Sequence, residues 1–267
     1  MKKRFNLFLV IIIFIASVNN ENINAYGGIT TVSSAINKAG RQRMLTQRML
    51  KFYAMIGIGI DVLEESSSLQ LKKEIDLYNQ QLDELTKYSQ NAKITHSLKL
   101  VTKLWLPYQK ILTEPVSRKN AKWLIAKNNE LLLASHNVVN LLHETSGTKY
   151  TKLVNISGRQ RMLSQMLAKT YMLKVWGFDD EKYTEQTEQI KKEFKAALLE
   201  LINAQENNQS IHLALNDVKA KWELLEFGLE RNNKKPVPFI VAMMSEKILI
   251  KMNEITFMYE NLSITTE

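Results

Sequence analysis

One stretch of this chain occurs twice, and the duplication constrains everything else. Residues 36–51 read INKAGRQRMLTQRMLK, and residues 154–169 read VNISGRQRMLSQMLAK. The hexapeptide GRQRML is identical in both. At one constant spacing Asn37 aligns with Asn155, Gly40 with Gly158, Arg43 with Arg161, Gln47 with Gln165 and Gly59 with Gly177. Self-similarity at a fixed period makes the protein two copies of one structural unit. The functional question is then what this basic, glycine-containing segment does.

The segment reads as helix, because it lacks proline, has few β-branched residues and is rich in Met, Leu, Gln, Arg and Lys. Alternating steps of four and three from Ile36 give Ile36, Gly40, Arg43, Gln47, Leu50, Ala54 and Gly57, one stripe at coiled-coil spacing. The second copy gives Val154, Gly158, Arg161, Gln165, Ala168, Met172 and Val175. Each stripe places an arginine on a packed seam, one turn after a glycine that allows a close neighbour. Residues 30–60 carry Lys38, Arg41, Arg43, Arg48 and Lys51 and no acid; residues 145–178 carry Lys149, Lys152, Arg159, Arg161, Lys169 and Lys174 and again no acid. A guanidinium left unpaired on a seam costs several kcal/mol. The compensating charge is therefore expected from a carboxylate on another helix, such as Glu130, Glu144, Glu246 or Glu254, or from an anion in solution.

INKAGRQRMLTQRMLK resembles the periplasmic segment of nitrate/nitrite sensor kinases. More closely, it resembles the PilJ-type N-terminal domain of type IV pilus chemotaxis transducers and nitrate chemoreceptors. The two copies cover nearly all of the chain beyond residue 25. The resemblance implies a four-helix bundle for each unit, and a small planar anion held between two symmetry-related copies of the basic helix by the arginine one turn after the glycine. Carried onto this sequence, it implies a site of Arg43 with Gly40 and Lys38, and of Arg161 with Gly158, with Gln47 and Gln165 on the same stripes. Lys38 aligns with Ile156 and Arg48 with Met166, so the second copy is expected to bind more weakly or to serve as scaffold.

Residues 1–25 combine a basic start (Lys2, Lys3, Arg4), an apolar run over 7–16 and a polar stretch ending at Ala25. That is the layout of a cleaved secretory signal, with an uncleaved anchor as the alternative. The run is short for a bilayer span, and periplasmic location is expected. The chain of 267 residues contains no cysteine, which excludes disulfides and thiolate metal sites.

Beyond the basic helix, expected over 30–65, residues 66–68 make a polar break. The next helix shows Leu71, Ile75, Tyr78, Leu82 and Leu85 on one face. A third, over 94–112, carries Leu98, Val101, Trp105 and Tyr108, with a kink expected at Pro107. Ser117 is placed to cap a fourth, over 118–145. The second unit repeats this order: Asp179 as N-cap, a helix with Tyr183, Ile190, Phe194, Leu198 and Leu201, one with Val218, Trp222 and Leu225, and a last near 239–262. The expected fold is all-α, two tandem four-helix bundles of up-down-up-down topology, with units at 26–147 and 148–267.

The junction at Gly147 decides where the two motifs lie. A turn there lets Arg43 and Arg161 share one anion within one chain. A continuous helix, slightly the better expectation, separates Gly147 from Arg161 by roughly 21 Å and demands a second molecule, hence a homodimer.

Other chemistry is not supported. His136 and His143 lack an inward Glu-x-x-His pattern and read as surface or satisfied core residues. Met44, Met49, Met162 and Met166 read as core filler. No nucleophile stands in a recognisable setting and no loop is built to cradle phosphate, so neither catalysis nor a cofactor is expected. The net charge of +9 could suggest nucleic acid, but the export signal and the core spacing of the aromatics argue against it. The expected function is a periplasmic sensory protein that recognises a small oxyanion, nitrate or nitrite, and passes its state to a membrane-bound sensor or chemoreceptor. The alternative is a structural or adaptor bundle whose basic seam docks an acidic helix.

Overall fold

The computed structural model describes residues 28–61, 65–89, 91–146, 148–178, 181–230 and 236–264. Eight helices follow one another: α1 (Val32–Ile58), α2 (Ser67–Tyr88), α3 (Ala92–Thr113), α4 (Arg118–Ser146), α5 (Lys149–Val175), α6 (Lys182–Ile202), α7 (Gln209–Glu230) and α8 (Pro238–Ile264). Helices α1 to α4 pack in a ring, each on its chain neighbour and α4 back on α1. Helices α5 to α8 close in the same way. The protein is thus all-α, two tandem up-down-up-down bundles as the sequence implies. Residues 1–25, for which an export signal is expected, lie outside the described residues, and no described helix is long and apolar enough to cross a membrane.

The continuous helix expected across the junction does not form. Helix α4 ends at Ser146, and α5 starts afresh at Lys149, where the Thr148 hydroxyl caps it by accepting from the Thr151 N–H. The chain turns back, and α5 packs along α1 while α4 and α8 flank the pair. That contact leaves few side chains of α1 in water, so its lysines and arginines do not form a solvated face.

Helix α1 is also shorter than expected, stopping at Ile58 rather than near residue 65. Gly59 takes a left-handed conformation (φ 71°), which only glycine adopts without strain. Its N–H bonds Ile56 O while the Ile60 N–H bonds Met55 O, both at 3.1 Å, the paired closure of a Schellman motif. Gly177 (φ 83°) ends α5 in the same way, with Gly177 N–H to Lys174 O and Phe178 N–H to Leu173 O at 2.9 Å. The repeated glycines at these positions are therefore stops.

The remaining elements follow their apolar faces. Leu71, Ile75, Tyr78, Leu82 and Leu85 of α2 are buried, as are Phe194, Leu198 and Leu201 of α6. The four repeat-segment methionines are buried as core filler. Trp105 stacks on Tyr78 and Trp222 on Phe194, each pair with ring centroids 4.0 Å apart. Helix α3 runs on through Pro107. Ser117 caps α4 by accepting from the Asn120 N–H at 3.1 Å. Asp179 lies outside the described residues, and α6 starts later than expected, with Glu181 at its N-cap and no side-chain cap bond.

The far end of the α1–α5 pair is closed by one aromatic. The Trp176 indole lies against Gly57 so closely that an added Cβ would come within 2.2 Å of the ring. Gly57→Ala should therefore lower stability by about 1–3 kcal/mol, since a rigid ring yields only by moving its neighbours. Urea denaturation measures this, and Trp176→Leu in the same chain should recover most of the loss.

Candidate functional site

The repeated hexapeptide is explained residue by residue at the α1–α5 seam. Gly40 and Gly158 remove the side chains that would fill the space beside the arginines. A Cβ on Gly40 would lie 3.4 Å from Arg43 Nη2 and 3.6 Å from Arg161 Nη2, and one on Gly158 would lie 3.0 Å from Arg161 Nη2. Gln42 and Gln160 reach sideways and donate to the carbonyls of Tyr78 on α2 (3.3 Å) and Phe194 on α6 (2.8 Å). Met44, Leu45, Met162 and Leu163 fill the core.

Both arginines turn inward and are essentially fully buried. Arg43 donates through Nη2 to Asn155 Oδ1 at 3.0 Å, and its Nη1 lies 3.0 Å from His136 Nδ1 on α4. Arg161 donates through Nη2 to Asn37 Oδ1 at 2.8 Å and to the Asn37 carbonyl at 3.3 Å, and through Nη1 to Asn253 Oδ1 on α8 at 3.0 Å. The exchange is reciprocal: each motif's arginine meets the other motif's asparagine, as in a two-fold interface between parallel helices. Nε of each guanidinium is buried without an acceptor, and among the described residues neither arginine makes an ion pair.

The energetic consequence is a concentration of positive charge that is compensated only in part. Burial, with Arg159 adding to it, draws Arg43 down to about 9. Burial, then Arg41 and Arg43, pull Arg161 well below its ordinary value, offset in part by Glu260. Glu260 acts at one remove, accepting from Asn37 Nδ2 at 2.6 Å. Of the carboxylates that could have neutralised the arginines, Glu130 binds Lys127, Glu254 binds Lys251, and Glu246 lies further along the seam.

That lower level uses the same reciprocal plan with a different outcome. Lys51 donates to Gln165 Oε1 at 2.6 Å, and Lys169 to Gln47 Oε1 at 2.8 Å and to Asn128 Oδ1 at 3.2 Å. Glu246 sits between Lys51 and Arg48, and Arg48 also holds Glu74. Burial works against the Glu246 charge, yet Arg48 and Lys51 together draw its pKa down to about 2. Among the described residues Lys169 meets amide oxygens and no carboxylate, and burial lowers it to about 8. Among the described residues, carboxylates thus pair directly with the cations around Lys51, whereas none pairs directly with Arg43 or Arg161, Glu260 reaching Arg161 only through Asn37.

Of the residues singled out from sequence, Gly40, Arg43, Gly158 and Arg161 come together. Gln47 and Gln165 lie at the lysine level, and the Lys38 ammonium is engaged by Glu84 of α2 on the flank. Asn37, Asn155, His136 and Asn253 were not anticipated as partners. The asparagines stood in the repeat and could have been read as cross-seam acceptors, whereas no sequence pattern points to His136 or Asn253.

Lys169 yields a test of buried charge. Its pKa of about 8 lies below its unfolded value, so between roughly pH 8 and 9.5 the unfolded chain binds more protons and stability rises with pH. Lys51, also lowered to about 8 by burial despite Glu246, acts in the same sense, so urea midpoints should show a gain of about 1 kcal/mol or more over that interval, and Lys169→Met should remove Lys169's share of it and leave the share of Lys51.

Comparison with known families adds an independent line. The model of the type IV pili methyl-accepting chemotaxis transducer N-terminal family, PilJ, matches residues 29–130 and again 145–248. Neither curated proteins nor solved structures gave a significant match. Both matched regions include one GRQRML motif and the helices around it, so the chain belongs to the PilJ family, with two family domains in tandem.

Proposed function

We propose that this protein is a periplasmic sensory protein that binds one small planar oxyanion, nitrate or nitrite, between Arg43 and Arg161. Both motifs contribute to a single site within one chain. The observation that carries the reading is the pair of buried guanidinium groups that flank Gly40, neither of which makes an ion pair among the described residues. A planar fork gives two parallel hydrogen bonds to two oxygens of a planar oxyanion, and two forks bridge it. Gly40 and Gly158 leave the space, and Asn37 and Asn155 hold the forks until the ligand competes for them. Family membership supports a sensory role in chemotaxis signalling.

On this reading residues 1–25 export the chain, residues 26–147 and 148–267 form the two units, and no chemistry is performed. The bound anion stabilises one arrangement of α1 against α5, and that state passes to a membrane-bound sensor or chemoreceptor. A homodimer is not needed to complete the site. The adaptor alternative needs an exposed basic seam, whereas Arg43 and Arg161 are covered.

Thermal denaturation tests the proposal. Nitrate or nitrite at a hundred times its dissociation constant should stabilise the fold by about 2.7 kcal/mol, several degrees beyond chloride at equal ionic strength. Arg43→Met and Arg161→Met should each abolish the difference. In anion-free buffer Arg43→Met should melt no lower than wild type, because it removes an unneutralised buried charge. Equal melting points in nitrate, nitrite, formate and chloride would rule the reading out.

A further inference from the structure

The two halves of the seam differ at one telling point. Arg161 Nη1 is met by the Asn253 amide oxygen, an acceptor at any pH, and Arg43 Nη1 by His136 Nδ1, each at 3.0 Å. A guanidinium only donates, so Nδ1 must present its lone pair and the ring proton must reside on Nε2. A second proton would erase the acceptor.

We propose that His136 makes anion binding proton-coupled: its neutral ring holds Arg43 Nη1 back, and its protonated ring releases Arg43 to the ligand and adds a third positive group beside it. The inference rests on the anion reading above. The charged groups acting on the ring are Arg43 from α1 and Arg159 from α5, the latter itself paired with Glu193 of α6 at 2.6 Å. Towards α3 the neighbouring contact is neutral, Asn137 Nδ2 to Ser97 Oγ at 2.6 Å. Burial first, then Arg43 and Arg159, hold the histidine below its ordinary pKa. An anion between Arg43 and Arg161 offsets that repulsion and favours the imidazolium. The ring is only half-buried, so the proton can come from solvent. Binding then takes up one monovalent oxyanion and up to one proton, and the site carries a preference for acid conditions that its Asn253 half lacks.

Calorimetric titration with sodium nitrate at about pH 5.5, 6.5 and 8, in buffers of different ionisation enthalpy, tests this. Wild type should bind about fivefold or more tightly at the lowest pH than at the highest, the size of an ordinary coupling between sites. The heat should change with buffer as a proton is taken up. His136→Asn, which copies the Asn253 half, should still bind nitrate but with a flat profile and buffer-independent heat. An NMR titration of the wild-type His136 ring should show its pKa rise when nitrate is added, a readout that does not depend on any variant folding. Nitrate binding that ignores pH and buffer, or a His136→Asn profile like wild type, overturns the role of His136 alone. No nitrate binding at any pH overturns it together with the anion site.

Discussion

The burial of two cations between parallel helices is the constraint on which the rest of the structure depends. An arginine on a seam can be tolerated only if neighbouring groups accept its hydrogen bonds and something offsets its charge. The first requirement is met at the Nη atoms by the exchange of Asn37 and Asn155 across the seam, with His136 and Asn253 adding to it from α4 and α8, while Nε of each arginine is left without an acceptor. This exchange fixes the register of α1 on α5, because sliding one helix would strand both arginines at once. The second requirement is met only in part at this level, by Glu260 at one remove from Arg161, and more fully one level below, where Glu246 joins Arg48 and Lys51. A repeated plan that pairs its cations directly with carboxylates on one level and not on the other is what motivates the proposal of an external anion.

Duplication within one chain changes what such a seam can do. Two identical subunits must find each other before a shared site exists, whereas tandem copies carry each other at a fixed effective concentration. Freed from identity, the halves have diverged where it matters. Arg48 is matched by Met166, and a histidine on one side answers an asparagine on the other. The outer helices diverged more freely but kept their function in packing, as the stacked pairs Tyr78–Trp105 and Phe194–Trp222 illustrate.

Much of this was legible in the sequence. The repeat and its apolar periods were enough for eight helices in two bundles, and the stripe through Gly40 and Arg43 placed the arginine on a packed face. Other features were not legible for physical reasons. The stop at Gly59 depends on one residue's left-handed backbone, which a window of good helix formers conceals. The break after Ser146 depends on tertiary packing of α5 on α1, a gain that local propensity does not register. His136 and Asn253 come to the arginines only through the docking of α4 and α8, and Lys38 is drawn aside by Glu84, a partner on a different helix.

Diffraction from crystals grown in nitrate is the most direct measurement of the central claim. One planar anion per chain is expected beside Gly40, within hydrogen-bonding distance of both Arg43 and Arg161. Arginines that keep their asparagine and histidine partners with nothing between them, or that close on a glutamate of the same chain, would contradict it.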